Sequence, residues 1–189
     1  MLTMQKHTMD TAPEQSRKLL QCSLDTFGFI VNQSAYMSES PELLDAYQYV
    51  HQLFSGCTLA EEDRTVIWIT MGQTFQCTYT VHVHQYIAVQ RGVSPELLRQ
   101  LDETPEQLPA RLAALREFTQ VVCLARGNIP HQAALKFLQA GYTRRNMLEI
   151  FLALSQKLYG ALVNSLAQTP TEALFMQTGR EIKEQPAGK

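Results

Sequence analysis

The chain has 189 residues, of which 45% are apolar, and its 16 basic and 18 acidic residues give a formal net charge of -2. This length suffices for one domain with a sizeable core that needs neither disulfides nor a metal. The balanced charge gives no electrostatic basis for binding nucleic acid or a membrane surface. There is no run of about 18 apolar residues and no apolar signal segment at the N-terminus. We therefore expect a cytoplasmic protein with no nucleic-acid or membrane partner.

Pairs of a hydroxyl residue and a proline mark helix starts along the chain: Ser40-Pro41, Ser94-Pro95, Thr104-Pro105 and Thr169-Pro170. The hydroxyl caps free N–H groups, and proline fits the first helical position. After most of these marks, apolar residues recur at spacings of three and four. The sequence predicts an all-α protein with a short helix after Pro170 and main helices at 13–26, 41–55, 59–72, 75–91, 95–102, 105–126, 131–140 and 143–167.

The two ends of the chain are polar and differ from the rest. Residues 1–12 and 178–189 are expected to be flexible tails on either side of a single helical domain, residues 13–177. The segment 66–69 has the composition of a buried strand. The acidic residues at 61–63 favour a helix instead, because carboxylates stabilise a first helical turn.

Four cysteines occur, Cys22, Cys57, Cys77 and Cys123. Their spacing matches neither a zinc site nor a disulfide framework. Cys22, Cys57 and Cys123 are expected to be free thiols that pack as small apolar core residues. Cys77 differs because of the residues that follow it.

Cys77, Thr80 and His84 lie three and four residues apart, so they share one face of the predicted helix 75–91. Cys77 falls in the first turn, where the helix dipole favours a thiolate, although a core cysteine remains the alternative. His84 lies about 10 Å further along the axis, too far for a direct hydrogen bond. Thr80 or a water could connect the two, and a purely structural His84 is equally open. The functional interpretation requires Cys77 and His84 to face a shared cavity.

No metal or cofactor is predicted. Cys77, His82 and His84 project in different directions, so they do not converge as tetrahedral ligands, and His82 is expected to lie away from the other two. Phosphate loops, nucleophile elbows and zinc-protease motifs are absent from the sequence. The carboxylates at 61–63 suit either acid–base chemistry or a helix start. Arg64 pairs with them or binds a ligand anion.

Several segments between residues 25 and 176 match a known family in order and spacing. The matching residues are 27–32, 40–47, 59–64, 77–84, 92–94, Asn164 and 169–175. Together they resemble the AhpD-like and carboxymuconolactone decarboxylase family. The resemblance implies an all-α fold whose central helical hairpin carries the site. It also implies a homo-oligomer, either a dimer, a trimer or a hexamer.

AhpD-like proteins carry the motif E-x11-C-x2-C-x3-H, in which two thiols cycle through a disulfide while Glu and His move protons. This chain keeps Cys77 and His84, but Thr80 replaces the second cysteine and Thr65 replaces the glutamate. A threonine cannot form a disulfide, so Cys77 and Thr80 cannot complete a dithiol cycle.

Other groups would have to replace the missing cysteine and the missing glutamate. Cys77 would need an external thiol, or Cys57 or Cys123, to reduce its sulfenic acid. Glu61 or Glu62 would have to stand in for the missing carboxylate.

The resemblance thus favours a cofactor-free, peroxiredoxin- or alkylhydroperoxidase-type antioxidant oxidoreductase that acts on a hydroperoxide. Cys77 would be the nucleophile, His84 the acid or base, and Thr80 a hydrogen-bonding neighbour. One alternative is a cofactor-free decarboxylase or isomerase of a small lactone or organic acid, using His84 and Arg64. The other is a non-catalytic ligand-binding or assembly protein, which the changes at Thr65 and Thr80 favour.

Overall fold

The computed structural model describes residues 3–184, and within this range the regular structure is entirely helical. The predicted all-α class is therefore confirmed. The helices are α1 (Glu14–Phe27), α2 (Asn32–Met37), α3 (Pro41–Ser55), α4 (Glu61–Thr74), α5 (Thr78–Gln90), α6 (Pro95–Glu103), α7 (Ala110–Leu124), α8 (His131–Gln139), α9 (Arg144–Ala167) and α10 (Ala173–Glu184), with a 3₁₀ turn at Pro105–Gln107.

Two of the predicted hydroxyl caps form as the local sequence requires. The side chains of Ser40 and Ser94 accept hydrogen bonds from the backbone N–H groups of Leu43 and Leu97. Each bond satisfies an otherwise free donor in the first helical turn. These caps fix where α3 and α6 begin.

Two other predicted helices differ from the structure. The continuous helix 105–126 is wrong, since a 3₁₀ turn ends at Gln107 and α7 begins only at Ala110. Pro109 explains the break, because proline lacks an N–H and disfavours helical geometry in the residue before it. The last helix begins at Ala173 rather than directly after Pro170.

Parts of the two segments that were predicted to be tails pack against the rest of the chain. His7 is buried, and its backbone N–H donates to Ala35 O at 3.2 Å. At the other end, α10 continues to Glu184 and buries Phe175 and Ile182, which lie seven residues apart on one helix face. The parts of the predicted tails at 1–2 and 185–189 lie outside the described residues.

Helix α4 lies at the centre of the core. Its residues from Val66 to Gly72 are all buried. A helix covered on every side reads as an unbroken apolar run, which is why this segment resembles a strand in sequence. Helix α4 packs most extensively against α5 and α7. The α4–α5 pair is the predicted central helical hairpin.

Helix α9 is the only helix within residues 3–184 that is long and apolar enough to cross a membrane by composition alone. It packs against α3, α4, α2, α5 and α7. Its inner face buries Gln156, Lys157 and Asn164 among those helices. These contacts are those of a core helix.

The outer face of α9 carries a row of exposed leucines, namely Leu148, Leu158, Leu162 and Leu166. Their spacing of four to ten residues keeps them near one side of the helix. Exposed apolar rows of this kind often mark interaction surfaces. The homo-oligomer expected from the resemblance stays a prediction.

Candidate functional site

A tight turn between α4 and α5 places Cys77. Gln76 has a φ of 54°, in the left-handed region, and Cys77 is the N-cap residue of α5. The Cys77 N–H donates to Gly72 O at 2.8 Å. Helix α5 thus begins at Thr78 rather than at residue 75, because α4 extends to Thr74 before the chain reverses.

Gly72 allows this turn to close. A Cβ atom at Gly72 would lie 3.0 Å from Cγ2 of both Thr80 and Val81, and 3.2 Å from Val81 N. These distances are too short for a relaxed contact. Gly72 therefore sets how closely the start of α5 approaches α4, a role that sequence analysis missed.

We expect Gly72→Ala to lower the free energy of unfolding by about 1–3 kcal/mol, because the added methyl overpacks the hairpin. We also expect a changed alkylation rate at Cys77. Gly56→Ala is the matched control, since the nearest atoms to its Cβ lie 3.7 and 3.9 Å away. Urea unfolding and iodoacetamide labelling measure both effects. Equal, near-zero changes in the free energy of unfolding of the two variants would show that the close approach of α5 to α4 at Gly72 does not affect stability.

The sulfur of Cys77 lies in polar surroundings. Thr80 Oγ1 donates to Sγ at 3.1 Å, and Asn164 Nδ2 donates to it at 3.5 Å. Asn164 Nδ2 also donates to Gln33 Oε1 at 2.8 Å, which holds the amide in place. Cys77 is 9% exposed and belongs to neither hydrophobic cluster. These contacts differ from those of a cysteine that only fills core space.

His84 bonds to a lysine rather than to the Thr80–Cys77 pair. Its Nε2 lies 2.6 Å from Lys157 Nζ. The ring of His84 stacks on Trp68, with centroids 4.6 Å apart at 19°. His51 also stacks on Trp68, at 5.3 Å and 15°. His84 Nδ1 has no hydrogen-bond partner among the described residues.

Burial shifts the protonation of this group of side chains. It lowers the pKa of His84 well below its usual range, and the nearby Lys157 charge lowers it further. Burial also lowers the pKa of Lys157 to about 7 and that of His51 to about 3. At neutral pH the His84 ring is uncharged, so its Nε2 accepts the hydrogen bond from Lys157.

Two cavities meet this region. The larger, of about 660 Å³, is lined by His84, Lys157, Thr80 and Arg91 together with many aromatic side chains. The smaller, of about 370 Å³, is lined by Cys77 and by polar or charged residues, including Asp102 and Lys183.

The expected shared cavity for Cys77 and His84 is not observed, because these two residues line different cavities. Thr80 connects the two residues, because it donates a hydrogen bond to Cys77 Sγ and lines the larger cavity together with His84. His82 lines the smaller cavity with Cys77, contrary to the prediction that it lies apart. Cys77 lies at the N-cap of α5 and not within the helix, so helical spacing alone does not decide which side chains line a cavity with it.

Two of the three carboxylates at 61–63 form ion pairs with arginines. Glu61 pairs with Arg64 at 2.6 Å and with Arg91 at 3.0 Å. Asp63 is buried and pairs with Arg111 at 2.8 Å. Of the two predicted roles for Arg64, the structure thus shows pairing with a carboxylate. Asp63 lies in the first turn of α4, which agrees with the predicted helix-start role.

The other three thiols lie apart from Cys77 in their packing. Cys57 and Cys123 pack against the larger hydrophobic cluster, which does not include Cys77. Burial raises the pKa of Cys57, and it raises that of Cys123 to about 12. Cys22 is exposed and lines the larger cavity, so its predicted core position is wrong. In residues 3–184 no three His, Cys, Asp or Glu side chains gather as a metal site.

The sequence matches no protein-family model and no curated protein. Solved structures are similar over nearly the whole chain. One is a peroxidase-related protein with an alkylhydroperoxidase AhpD core from Ralstonia eutropha JMP134, with 20% identity, a TM-score of 0.77, and coverage of 93% of this chain and 95% of that one. Another is a peroxidase-related protein from Silicibacter sp. TM1040, with 18% identity, a TM-score of 0.74, and coverage of 92% and 93%.

A third similar structure is a Cys-to-Ala variant of the debrominase Bmp8 in complex with 2,3,4-tribromopyrrole. Its identity is 15% and its TM-score 0.80, and the match covers 96% of this chain and 98% of that one. The AhpD-like architecture thus occurs in proteins described by different activities. At these identities the likeness concerns the fold, and we conclude that this chain has the AhpD-like fold.

Proposed function

We propose that the protein is a thiol-dependent oxidoreductase of the peroxidase type, with Cys77 as its nucleophile. The observation that carries this proposal is the convergence of Thr80 Oγ1 and Asn164 Nδ2 on Cys77 Sγ. Hydrogen-bond donors favour the charged form of an acceptor, and the start of α5 adds a favourable dipole. The smaller, polar cavity gives a hydroperoxide access to the sulfur. Two of the fold neighbours are peroxidase-related proteins.

In the proposed reaction, the Cys77 thiolate attacks one oxygen of the hydroperoxide. An S–O bond forms, the O–O bond breaks, and the electron pair leaves with the second oxygen, which takes up a proton to give an alcohol or water. Cys77 becomes a sulfenic acid. An external thiol then displaces water to form a mixed disulfide, and a second thiol releases Cys77 and the oxidised disulfide.

The reducing thiol is external in this scheme because the chain offers no second sulfur at the site. Thr80 occupies the position where a resolving cysteine would sit, and Cys57 and Cys123 pack against the larger hydrophobic cluster, to which Cys77 does not belong. A reducing cytoplasm would supply such a thiol, and we propose that location for the protein.

A second candidate is cofactor-free acid–base conversion of a small organic acid, such as a decarboxylation or an isomerisation. The 2.6 Å contact between His84 Nε2 and Lys157 Nζ favours it, because this pair lines the larger cavity and Cys77 does not. An amine and an imidazole in contact can move a proton within a bound substrate. In this candidate Cys77 has no chemical role.

The thiol proposal is tested by treating the protein with hydrogen peroxide or cumene hydroperoxide and mapping sulfenic acid with dimedone. A Cys22→Ser background removes the exposed thiol. We expect dimedone on Cys77 and none on Cys123. Thr80→Val keeps the side-chain shape but removes a donor worth about 1–2 kcal/mol, so labelling should slow roughly tenfold. An unlabelled Cys77, or an unchanged rate in Thr80→Val, would contradict the proposal.

The same variants separate the two candidates in turnover assays. Cys77→Ser should abolish thiol-dependent peroxide reduction. An acid–base enzyme would instead keep its turnover in Cys77→Ser and lose it in His84→Ala. Folded protein that is inert to peroxides and to small lactones alike would favour the non-catalytic alternative.

A further inference from the structure

Lys157 is a buried amine that the proposed thiol chemistry does not use. It is 2% exposed, and its Nζ lies 5.5 Å from the Trp68 ring centroid and 5.7 Å from that of Tyr47. None of the ion pairs within residues 3–184 involves it. A buried lysine without a carboxylate partner is rare in soluble proteins, because burial disfavours the charged form.

The surroundings of Lys157 keep a large share of its amine unprotonated at neutral pH. Burial lowers its pKa to about 7, and the titratable groups around it are Tyr47, His51, Cys77 and His84. Of these, only the thiolate form of Cys77 raises the pKa of Lys157. An unprotonated lysine in an apolar pocket is the form that attacks carbonyl carbons.

The larger cavity provides room and walls for an aromatic ligand beside Nζ. Its volume of about 660 Å³ is several times the roughly 150 Å³ that suffices for benzene. Five aromatic rings line it, those of Phe27, Tyr47, Tyr49, Tyr79 and Tyr86. Tyr49 is an exposed member of this lining.

We propose that Lys157 is an amine nucleophile that binds aromatic aldehydes and ketones covalently as an imine in the larger cavity. This site goes beyond the proposed thiol function, since it requires neither Cys77 nor an oxidant. It assigns to the cavity a class of ligand, an apolar carbonyl compound with a planar ring.

The covalent step is balanced by groups at the site. The Nζ lone pair attacks the carbonyl carbon, and the C=O electron pair moves to oxygen, giving a carbinolamine. His84 Nε2, 2.6 Å from Nζ, accepts the proton lost by the nitrogen and returns it to the oxygen. His84 then passes the second N–H proton to the hydroxyl, the C–O bond breaks, water leaves, and the C=N bond forms. The net change is amine plus carbonyl giving imine plus water, with no change in oxidation state.

The test is reductive trapping on the full chain with benzaldehyde and sodium cyanoborohydride at pH 7, followed by peptide mapping. We expect Lys157 to carry the benzyl group at least roughly tenfold more than Lys136, whose amine is exposed and paired with Glu117. Cys77→Ser should still carry the label on Lys157 in preference to Lys136, which separates this result from the fate of the thiol proposal. Denaturing the protein before labelling should erase the preference.

Two further measurements keep the test decisive. Labelling of Lys157 should rise with pH and level off just above pH 7, because the pKa of its amine is lowered to about 7. Lys157→Met should remove the preferred label, but mapping of the unaltered chain answers the question even if this variant misfolds. Labelling of Lys157 no faster than Lys136 in the folded protein would overturn the proposal.

Discussion

Trp68→Ala is expected to lower the free energy of unfolding by about 3–5 kcal/mol, the range for truncating a buried aromatic residue. Trp68 is 1% exposed at the middle of α4, and its indole N–H donates to Gln156 Oε1 at 3.3 Å. Alanine would leave a large void and remove a donor from a buried amide. It would also remove the surface on which His51 and His84 stack.

The second consequence of Trp68→Ala concerns the His84 titration. With its stacking partner gone, His84 becomes better solvated, so its pKa should rise toward the usual range, as measured by NMR of the ring protons. Trp68→Phe is the control, because it keeps an aromatic face and loses only the N–H. A loss below 1 kcal/mol in Trp68→Ala, with His84 titrating as before, would show that neighbouring helices and not Trp68 position this histidine.

Lys157→Met is expected to stabilise the protein at pH 6 by roughly 1–4 kcal/mol, because a flexible apolar side chain replaces a buried cation that has no carboxylate partner. The folded pKa of Lys157 is about 7, below the ordinary value of 10.5. Between these values the unfolded chain binds more protons, so this group makes stability rise with pH. Below pH 7 both states are protonated and the full cost of burying the charge applies.

Urea unfolding at pH 6, 8 and 10 measures this effect. The Lys157→Met variant should lose the part of the upward slope between pH 7 and 10 that Lys157 contributes. Lys136→Met is the control, because Lys136 is exposed and pairs only with exposed Glu117. If Lys157→Met were less stable than the parent at pH 6, the amine would be stabilising the fold, and the burial cost inferred here would be wrong.

Features set by neighbours in sequence were predictable, and those set by distant segments were not. The caps at Ser40 and Ser94 and the contact between Thr80 and Cys77 follow from spacings of three residues. Pro109 interrupts the predicted helix 105–126, and the prediction missed the break because the apolar residues that follow it recur at helical spacing.

The candidate site was only partly predictable because its main partners come from α9. Lys157 lies 73 residues after His84, and Asn164 lies 87 residues after Cys77. No helical spacing links such positions. One signal was available, since Lys157 is the single cation of its helix after Arg145. A lone cation of this kind marks either a surface position or a buried functional group.

Helix α9 has two faces with different tasks. Its inner face supplies Lys157, which bonds to His84, and Asn164, which bonds to Cys77. Its outer face carries the row of exposed leucines. Lys157 and Asn164 belong to the same helix as these leucines. A partner that shifted this helix from its outer side would therefore move both groups together.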